Sequence, residues 1–196
     1  MIPARLVLAT TNAGKVRELG PLVAEWGPVD VRSLADFPGV GCPEERDTSY
    51  FENAVAKALA VARATEIPAL GDDSGLEVDA LGGGPGVRSA RFAPTDEERV
   101  AKLLAALVDV PREARRARFR CVVALGWPDG RSETAAGACD GWIAFAPSGS
   151  AGFGYDPIFV ADELGCTIAA AAIEEKQRVS HRARAMRALG VRLARK

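Results

Sequence analysis

Apolar and polar positions alternate with two periods along the chain, and each change of period marks a new element. Arg5 to Ala9 is a short run rich in Leu and Val, which predicts a buried strand. The polar stretch Thr10-Thr11-Asn12-Ala13-Gly14-Lys15 ends it. A helix pattern follows at once, with Val16, Leu19, Val23 and Trp26 at three- and four-residue steps. Strand, polar turn, helix is a typical opening for an α/β protein. Val29 to Ser33 predicts a second strand, and residues 34–48, with Pro38, Gly39, Gly41 and Pro43, read as loop. A second helix is predicted from about Ser49 to Thr65. Its apolar side holds Phe51, Val55, Ala58, Leu59 and Ala62, and Asn53 and Lys57 share another face.

Ala69-Leu70-Gly71 predicts a strand that ends in Asp72-Asp73-Ser74-Gly75, followed by an alternating stretch through Leu76, Val78 and Ala80. Gly82-Gly83-Gly84-Pro85-Gly86 is a turn. Thr95 and Glu98 form a capping-box pair ahead of a third helix that buries Val100, Leu103, Leu104 and Leu107. Phe119, Cys121, Val123 and Leu125 alternate as a half-buried strand, and Pro128-Asp129-Gly130 turns it into a hairpin partner. Strands are expected near Trp142–Phe145 and Pro157–Val160. A single last helix is expected over about Glu174 to Ala194, with Val179, Ala183, Met186, Leu189 and Leu193 inward.

A length of 196 residues suits one domain, residues 1–196, with a real core, and no repeat or linker interrupts it. The net charge of −1 gives no broad positive field, so a polynucleotide partner is not expected, while a nucleotide-sized ligand needs only a local cationic pocket. The start, MIPARLVLATTN, is too short and too quickly polar for a secretory signal, and no apolar run approaches the ~18 residues of a membrane span. A cytoplasmic protein without membrane contact is the expectation. The four cysteines contain no C-x-x-C pair and there is one histidine, so free thiols are expected rather than a zinc site.

Chemistry concentrates in a few places. Two adjacent aspartates, Asp72 and Asp73, repel each other unless a cation or donors compensate. Carboxylate oxygens suit Mg²⁺, which takes one or two of them together with phosphates and water. One aspartate would hold metal while the other takes a proton from an attacking water; a plain polar turn is the alternative. Thr10-x-Asn12-x-x-Lys15 places a hydroxyl, an amide and an ammonium where a strand meets a helix, a setting for phosphate, although the P-loop spacing is absent. The pair Glu44-Glu45 precedes the Asn53/Lys57 helix. Gly152-Phe153-Gly154-Tyr155-Asp156-Pro157 offers a tight loop with a ring to stack on a base and an acceptor beside it. Lys176 and Ser180-His181-Arg182 lie on the last helix, Lys176 and Ser180 on one face.

Together these stretches resemble the inosine triphosphate pyrophosphatase family, the bacterial XTP/dITP diphosphatases that clear damaged purines from the nucleotide pool. The matching blocks are ATTNAGKVREL, EERDTSYFENAVAKA, DDSGLEVDALGGGPGVRSAR, GFGYDPIF and EKQRVSHRARA, in order and nearly end to end. The resemblance implies an α/β fold, a mixed elongated sheet flanked by helices, with two lobes around a central nucleotide-binding cleft. It implies Mg²⁺-dependent hydrolysis of ITP, dITP and XTP to the monophosphate and pyrophosphate, by a homodimer. Thr10, Asn12 and Lys15 would hold the triphosphate, with Asn53 and Lys57 facing the phosphates. Glu45, with Glu44 as the alternative, Asp72 and Asp73 would bind metal, Asp73 would be the base, and Ser74 would touch substrate. Phe153, Gly154, Tyr155 and Asp156 would wall the base, Phe153 by stacking, and Lys176, His181 and Arg182 would read the base and the adjoining phosphate. Two other readings are a pyrophosphatase of modified pyrimidine nucleotides and a regulator that binds nucleotide without cutting it. The GFGYDP and SHR blocks point to purines, and the Asp72-Asp73 pair points to hydrolysis.

Overall fold

The computed structural model describes residues 1–195. Six strands form one sheet in the order β2-β1-β3-β4-β5-β6. They are β1 (Arg5–Leu8), β2 (Asp30–Ser33), β3 (Ala69–Val78), β4 (Arg116–Gly126), β5 (Ser132–Ile143) and β6 (Phe159–Ala161). The five helices are α1 (Ala13–Ala24), α2 (Tyr50–Thr65), α3 (Asp96–Ala106), α4 (Ile173–Val179) and α5 (His181–Ala194). β1 pairs in parallel with β2 and with β3, while β5 and β6 are antiparallel, so the sheet is mixed and the fold is α/β as expected.

The chain divides into two compact units, each discontinuous in sequence. The first comprises residues 1–73, 121–137 and 181–196, and the second residues 74–120 and 138–180. In the first, period-two alternation along β1 separates two cores. Leu6 and Leu8 join Leu19 and Val23 of α1 and Met186 and Leu189 of α5. Val7 and Ala9 join Val61 and Ala62 of α2. A strand buried on both faces reads as a continuous apolar run, which is how Arg5 to Ala9 reads. In the second unit, Val100, Leu103 and Leu107 of α3 pack with Leu76, Phe119, Ile143 and Phe159. Thr95 caps α3 with the reciprocal bonds predicted from Glu98. The buried guanidinium of Arg115 donates to the carbonyls of Leu107, Val110 and Ala144 at 2.5, 2.9 and 3.1 Å, satisfying the open end of α3.

Three expectations about elements need correction. Asp72 and Asp73 lie in the middle of β3, not beyond its end. Sequence patterning treats paired charges as a strand stop, but here cations supplied by distant segments compensate them. The stretch near Trp142 is the far end of the long strand β5 rather than a separate strand. The last helix is two helices. Ser180 has extended backbone, ψ 146°, so α4 stops before it and α5 starts after it; Lys176 and Ser180 do not share a helix face. Serine is favoured at helix starts because its hydroxyl can meet free N–H groups there.

Helix α2 approaches the sheet closely at two glycines. A Cβ on Gly71 would meet the Ala54 carbonyl oxygen and lie 2.8 Å from the Ala58 nitrogen, and one on Gly126 would lie 3.0 Å from Leu59 N. Both obstacles are helix backbone, which cannot rotate away. Gly71→Ala is therefore expected to lower stability by about 1–3 kcal/mol in urea unfolding; an unchanged midpoint would contradict this packing.

Candidate active site

Within the first unit, groups from five separate stretches meet in one charged network. Thr10 and Asn12 build the entry to α1: Thr10 Oγ1 accepts from Asn12 N–H at 3.1 Å, and Asn12 caps the helix by accepting from Lys15 N–H at 3.1 Å. That cap aims Lys15, whose ammonium lies 2.6 Å from Asp72 Oδ1. The other oxygen, Oδ2, accepts from Arg182 Nε at 3.0 Å and faces Cys121 Sγ at 3.5 Å. Arg182 also donates to Glu18. None of the Asp72 side chain is exposed. Burial alone would raise the Asp72 carboxyl, but Lys15, Arg182 and Lys57 outweigh burial and hold it well below its ordinary 3.8.

Asp73 has a different setting. Its Oδ2 accepts from Asn53 Nδ2 at 2.9 Å, and its Oδ1 lies 3.6 Å from Lys57 Nζ. Burial pushes the Asp73 carboxyl above 3.8, with Glu45 adding to the rise while Lys57 and Asn53 oppose it. Adjacent residues of one strand are thus driven in opposite directions. Lys57 also meets Glu45 Oε1 at 2.7 Å, so one ammonium joins Glu45 to Asp73. Burial would lower Lys57, yet the Asp72, Asp73 and Glu45 carboxylates together raise it. Asn53 makes a second contribution: its amide accepts from Arg46 N–H at 2.9 Å and donates to Arg46 C=O at 2.8 Å. The loop holding Glu44 and Glu45 is thereby fastened to α2, and it is Glu45 that meets Lys57. Asn53 and Lys57 act from one helix face, as their four-residue spacing predicts.

The second unit holds the aromatic loop. Asp156 Oδ2 accepts from Phe153 N–H at 3.0 Å and meets Lys176 Nζ at 2.6 Å, and Lys176 lies 5.4 Å from the centre of the Phe153 ring. Gly152 and Gly154 have φ of +85° and +64°, conformations that favour glycine, and a Cβ at Gly152 would strike the Asp156 carboxylate. Gly154 N–H donates to Asp96 Oδ2 at 2.7 Å. Tyr155 is buried in the core of this unit and donates to the Ser89 carbonyl at 2.9 Å. A pocket of about 460 Å³ lies beside the loop, lined by Val100, Leu104, Pro147, Gly152 and Phe153 among others.

The structure therefore joins Lys15, Glu45, Asn53, Lys57, Asp72, Asp73 and Arg182 in one network, and Phe153, Asp156 and Lys176 in another. Thr10 and Asn12 support the first through local bonds. Ser74 is half-buried on β3, and His181 is buried as the first residue of α5. Arg182, read from sequence as a contact for the base, is buried and bound to two carboxylates. Sequence reasoning missed Glu18, Cys121, Ser89 and Asp96. Glu18 had a usable signal, since it stands three residues after Lys15 on the same face of α1. Cys121 reads as an ordinary inward position of an alternating strand.

A mixed α/β sheet carrying a buried carboxylate–ammonium network next to a capped helix start defines an α/β enzyme of phosphate chemistry. The chain belongs to the Ham1 family, whose sequence profile matches residues 6–191 and so spans every residue of both networks. It is 50% identical over 184 residues to the dITP/XTP pyrophosphatase of Geobacillus kaustophilus, covering 92% of this chain and 90% of that one. The solved structure of a HAM1 protein from Coxiella burnetii superposes with a TM-score of 0.85 at 38% identity, covering 98% and 99% of the two chains. A solved nucleoside-triphosphatase / dITP/XTP pyrophosphatase from Mycobacterium abscessus gives 0.75 at 40% identity, covering 94% and 97%. The family read from the five sequence blocks is borne out.

The electrostatics set a pH dependence. A carboxylate with a depressed folded pKa contributes stability above its ordinary value, and that contribution is lost as pH falls through the folded pKa. Asp72 is such a group, and its loss window lies below 3.8. Asp73 has the opposite sign, since its raised pKa makes the ionised form a cost above 3.8. Asp72→Asn leaves Lys15 and Arg182 buried without their shared anion. It should lower stability at pH 7 by about 3–5 kcal/mol and flatten the acid limb of the stability curve. Urea midpoints across pH check both effects, and a parallel acid limb in the variant would contradict the assignment.

Proposed function

We propose that this chain hydrolyses non-standard purine nucleoside triphosphates, ITP, dITP and XTP, to the monophosphate and pyrophosphate. The observation that carries this reading is the divergence of two neighbouring carboxylates: Asp72 locked as an anion between Lys15 and Arg182, and Asp73 raised toward proton-accepting range. The dITP/XTP pyrophosphatase names of relatives about 50% identical support the substrate class.

In this reading Lys15, Lys57 and the α1 start with Thr10 and Asn12 receive the polyphosphate. Asp73, oriented by Asn53, accepts the proton of a water that attacks the α-phosphorus, and pyrophosphate leaves. Asp72 acts as a fixed electrostatic anchor, its Oδ2 bound to Arg182 and its buried Oδ1, which accepts no hydrogen bond among the described residues, facing the Lys15 ammonium. Glu45, Asp72 and Asp73 would supply the oxygens for a divalent ion, Mg²⁺ by their hard donor chemistry. Among the described residues no three His, Cys, Asp or Glu side chains form a cage; an ion that completes its shell with phosphate and water needs none. When bound, it neutralises polyphosphate charge. Holding the reactants in line and countering charge carry the rate enhancement.

Phe153 stacks on the purine, with Ser74, Gly154, Tyr155 and His181 completing its surroundings. Lys176, steadied by Asp156, meets the C6 oxygen that inosine and xanthosine carry and adenine lacks. Arg182 serves through Asp72 instead. The same reading includes a cytoplasmic homodimer working on free nucleotides.

Two outcomes are expected. Asp73→Asn should reduce kcat by a factor on the order of 10²–10⁴ with an unchanged circular dichroism spectrum; near-normal turnover would sink the base assignment. With Mg²⁺ present, pyrophosphate release from dITP and XTP should exceed that from ATP by roughly tenfold or more in kcat/KM, and equal rates would contradict the proposed selectivity.

A further inference from the structure

The stretch Pro85-Gly86-Val87-Arg88-Ser89-Ala90-Arg91 takes no part in the chemistry above, yet Ser89 in it is buried and committed on two sides. It sits in a short 3₁₀ turn, Gly86–Arg91. Its hydroxyl accepts from Leu76 N–H at 2.8 Å and donates to the Gly86 carbonyl at 2.6 Å. Its own carbonyl accepts from the Tyr155 hydroxyl at 2.9 Å. One residue thus joins β3, three positions beyond Asp73, to the middle of the aromatic loop.

We propose that Ser89 is a positioning residue for the nucleobase: it fixes the height of the 152–156 loop, and so the fit of the purine against Phe153, without touching substrate. The inference rests on the reading of that loop as the base contact. Besides the bond from Ala169 N–H to the Asp156 carbonyl at 3.2 Å, the loop is anchored by Asp96 at Gly154, Lys176 at Asp156, and Ser89 at Tyr155. Asp96 is partly exposed, and its contact can exchange with water at small cost, whereas the Lys176–Asp156 pair is mostly buried. The Tyr155–Ser89 contact is buried, where a lost hydrogen bond has no water to replace it. Burial also pushes the Tyr155 phenol up, which keeps it a donor. A shift of the loop must break that bond or drag Ser89, and dragging Ser89 strips the acceptor from Leu76 N–H. Deleting the Ser89 hydroxyl leaves the Leu76 N–H unpaired and frees the turn, and Tyr155 with its loop loses a fixed partner. The polyphosphate contacts of Lys15 and Lys57 involve none of these groups.

The test compares wild type, Ser89→Ala and Tyr155→Phe, the two variants cutting the same link at its opposite ends. In the absence of nucleotide, amide hydrogen exchange over 152–157 should accelerate by about tenfold in each variant. With Mg²⁺, KM for dITP should rise by about tenfold in Ser89→Ala while kcat stays within about twofold, the split expected when a uniform binding contact is lost; Tyr155→Phe is read by exchange alone. Competitive inhibition by inorganic tripolyphosphate should be unchanged. Unaltered exchange in both variants would overturn the proposal, as would tripolyphosphate inhibition weakening in step with KM, which marks a general loss of structure. Should Ser89→Ala fail to fold, the exchange comparison in Tyr155→Phe decides the matter. Absence of dITP hydrolysis by wild type would overturn the functional reading instead, with the exchange comparison still deciding the Ser89 link.

Discussion

A carboxylate with no exposed surface stays ionised only where cations meet its oxygens, and Asp72 is held in that way between Lys15 and Arg182. Much of the first unit can be traced from this contact. The Asn12 cap matters because it aims Lys15. α5 matters because its first turn delivers Arg182, and Glu18 matters because it balances the second side of that guanidinium. β3 can carry two aspartates in mid-strand because these partners come from α1, α2 and α5 rather than from its own neighbours in sequence.

The anchored carboxylate also sets what its neighbour can do. Successive side chains of a strand point to opposite faces, so Asp72 and Asp73 enter different surroundings although one peptide bond separates them. Asp72 meets two full charges and a thiol. Asp73 meets an amide and a more distant ammonium that it shares with Glu45. A group kept ionised by two cations is a poor proton acceptor, whereas a buried carboxylate with weaker compensation is a better one. A single Asp-Asp pair thereby yields two roles, one electrostatic and one chemical.

The sequence made some of this legible and concealed the rest, for identifiable reasons. Local patterns survived well: the period-two alternation of β1, the helical spacing of α1, the Thr95–Glu98 capping box and the shared face of Asn53 and Lys57 stand as read. Each depends on neighbours within about four residues. On α2, by contrast, Phe51, read as inward, is exposed, and the buried side runs through Asn53, Ala54, Lys57, Ala58, Val61 and Ala62. What stayed hidden involves partners far away in the chain. Nothing near Arg182 in the sequence reveals that its guanidinium closes on Asp72, 110 residues earlier. Ser89 carried no signal of its own, since its bond to Tyr155 spans 66 residues. The division of the last helix at Ser180 turns on one extended residue inside an otherwise helical pattern.

The central claim is that β3 presents one pinned and one poised carboxylate. Carbon-13 NMR of the aspartate carboxyl carbons, assigned through Asp72→Asn and Asp73→Asn and followed across pH, tests it without any substrate. The account predicts that Asp73 titrates above its ordinary value, while Asp72 shows no titration before the protein unfolds in acid. Asp72 titrating at or above Asp73 would contradict it.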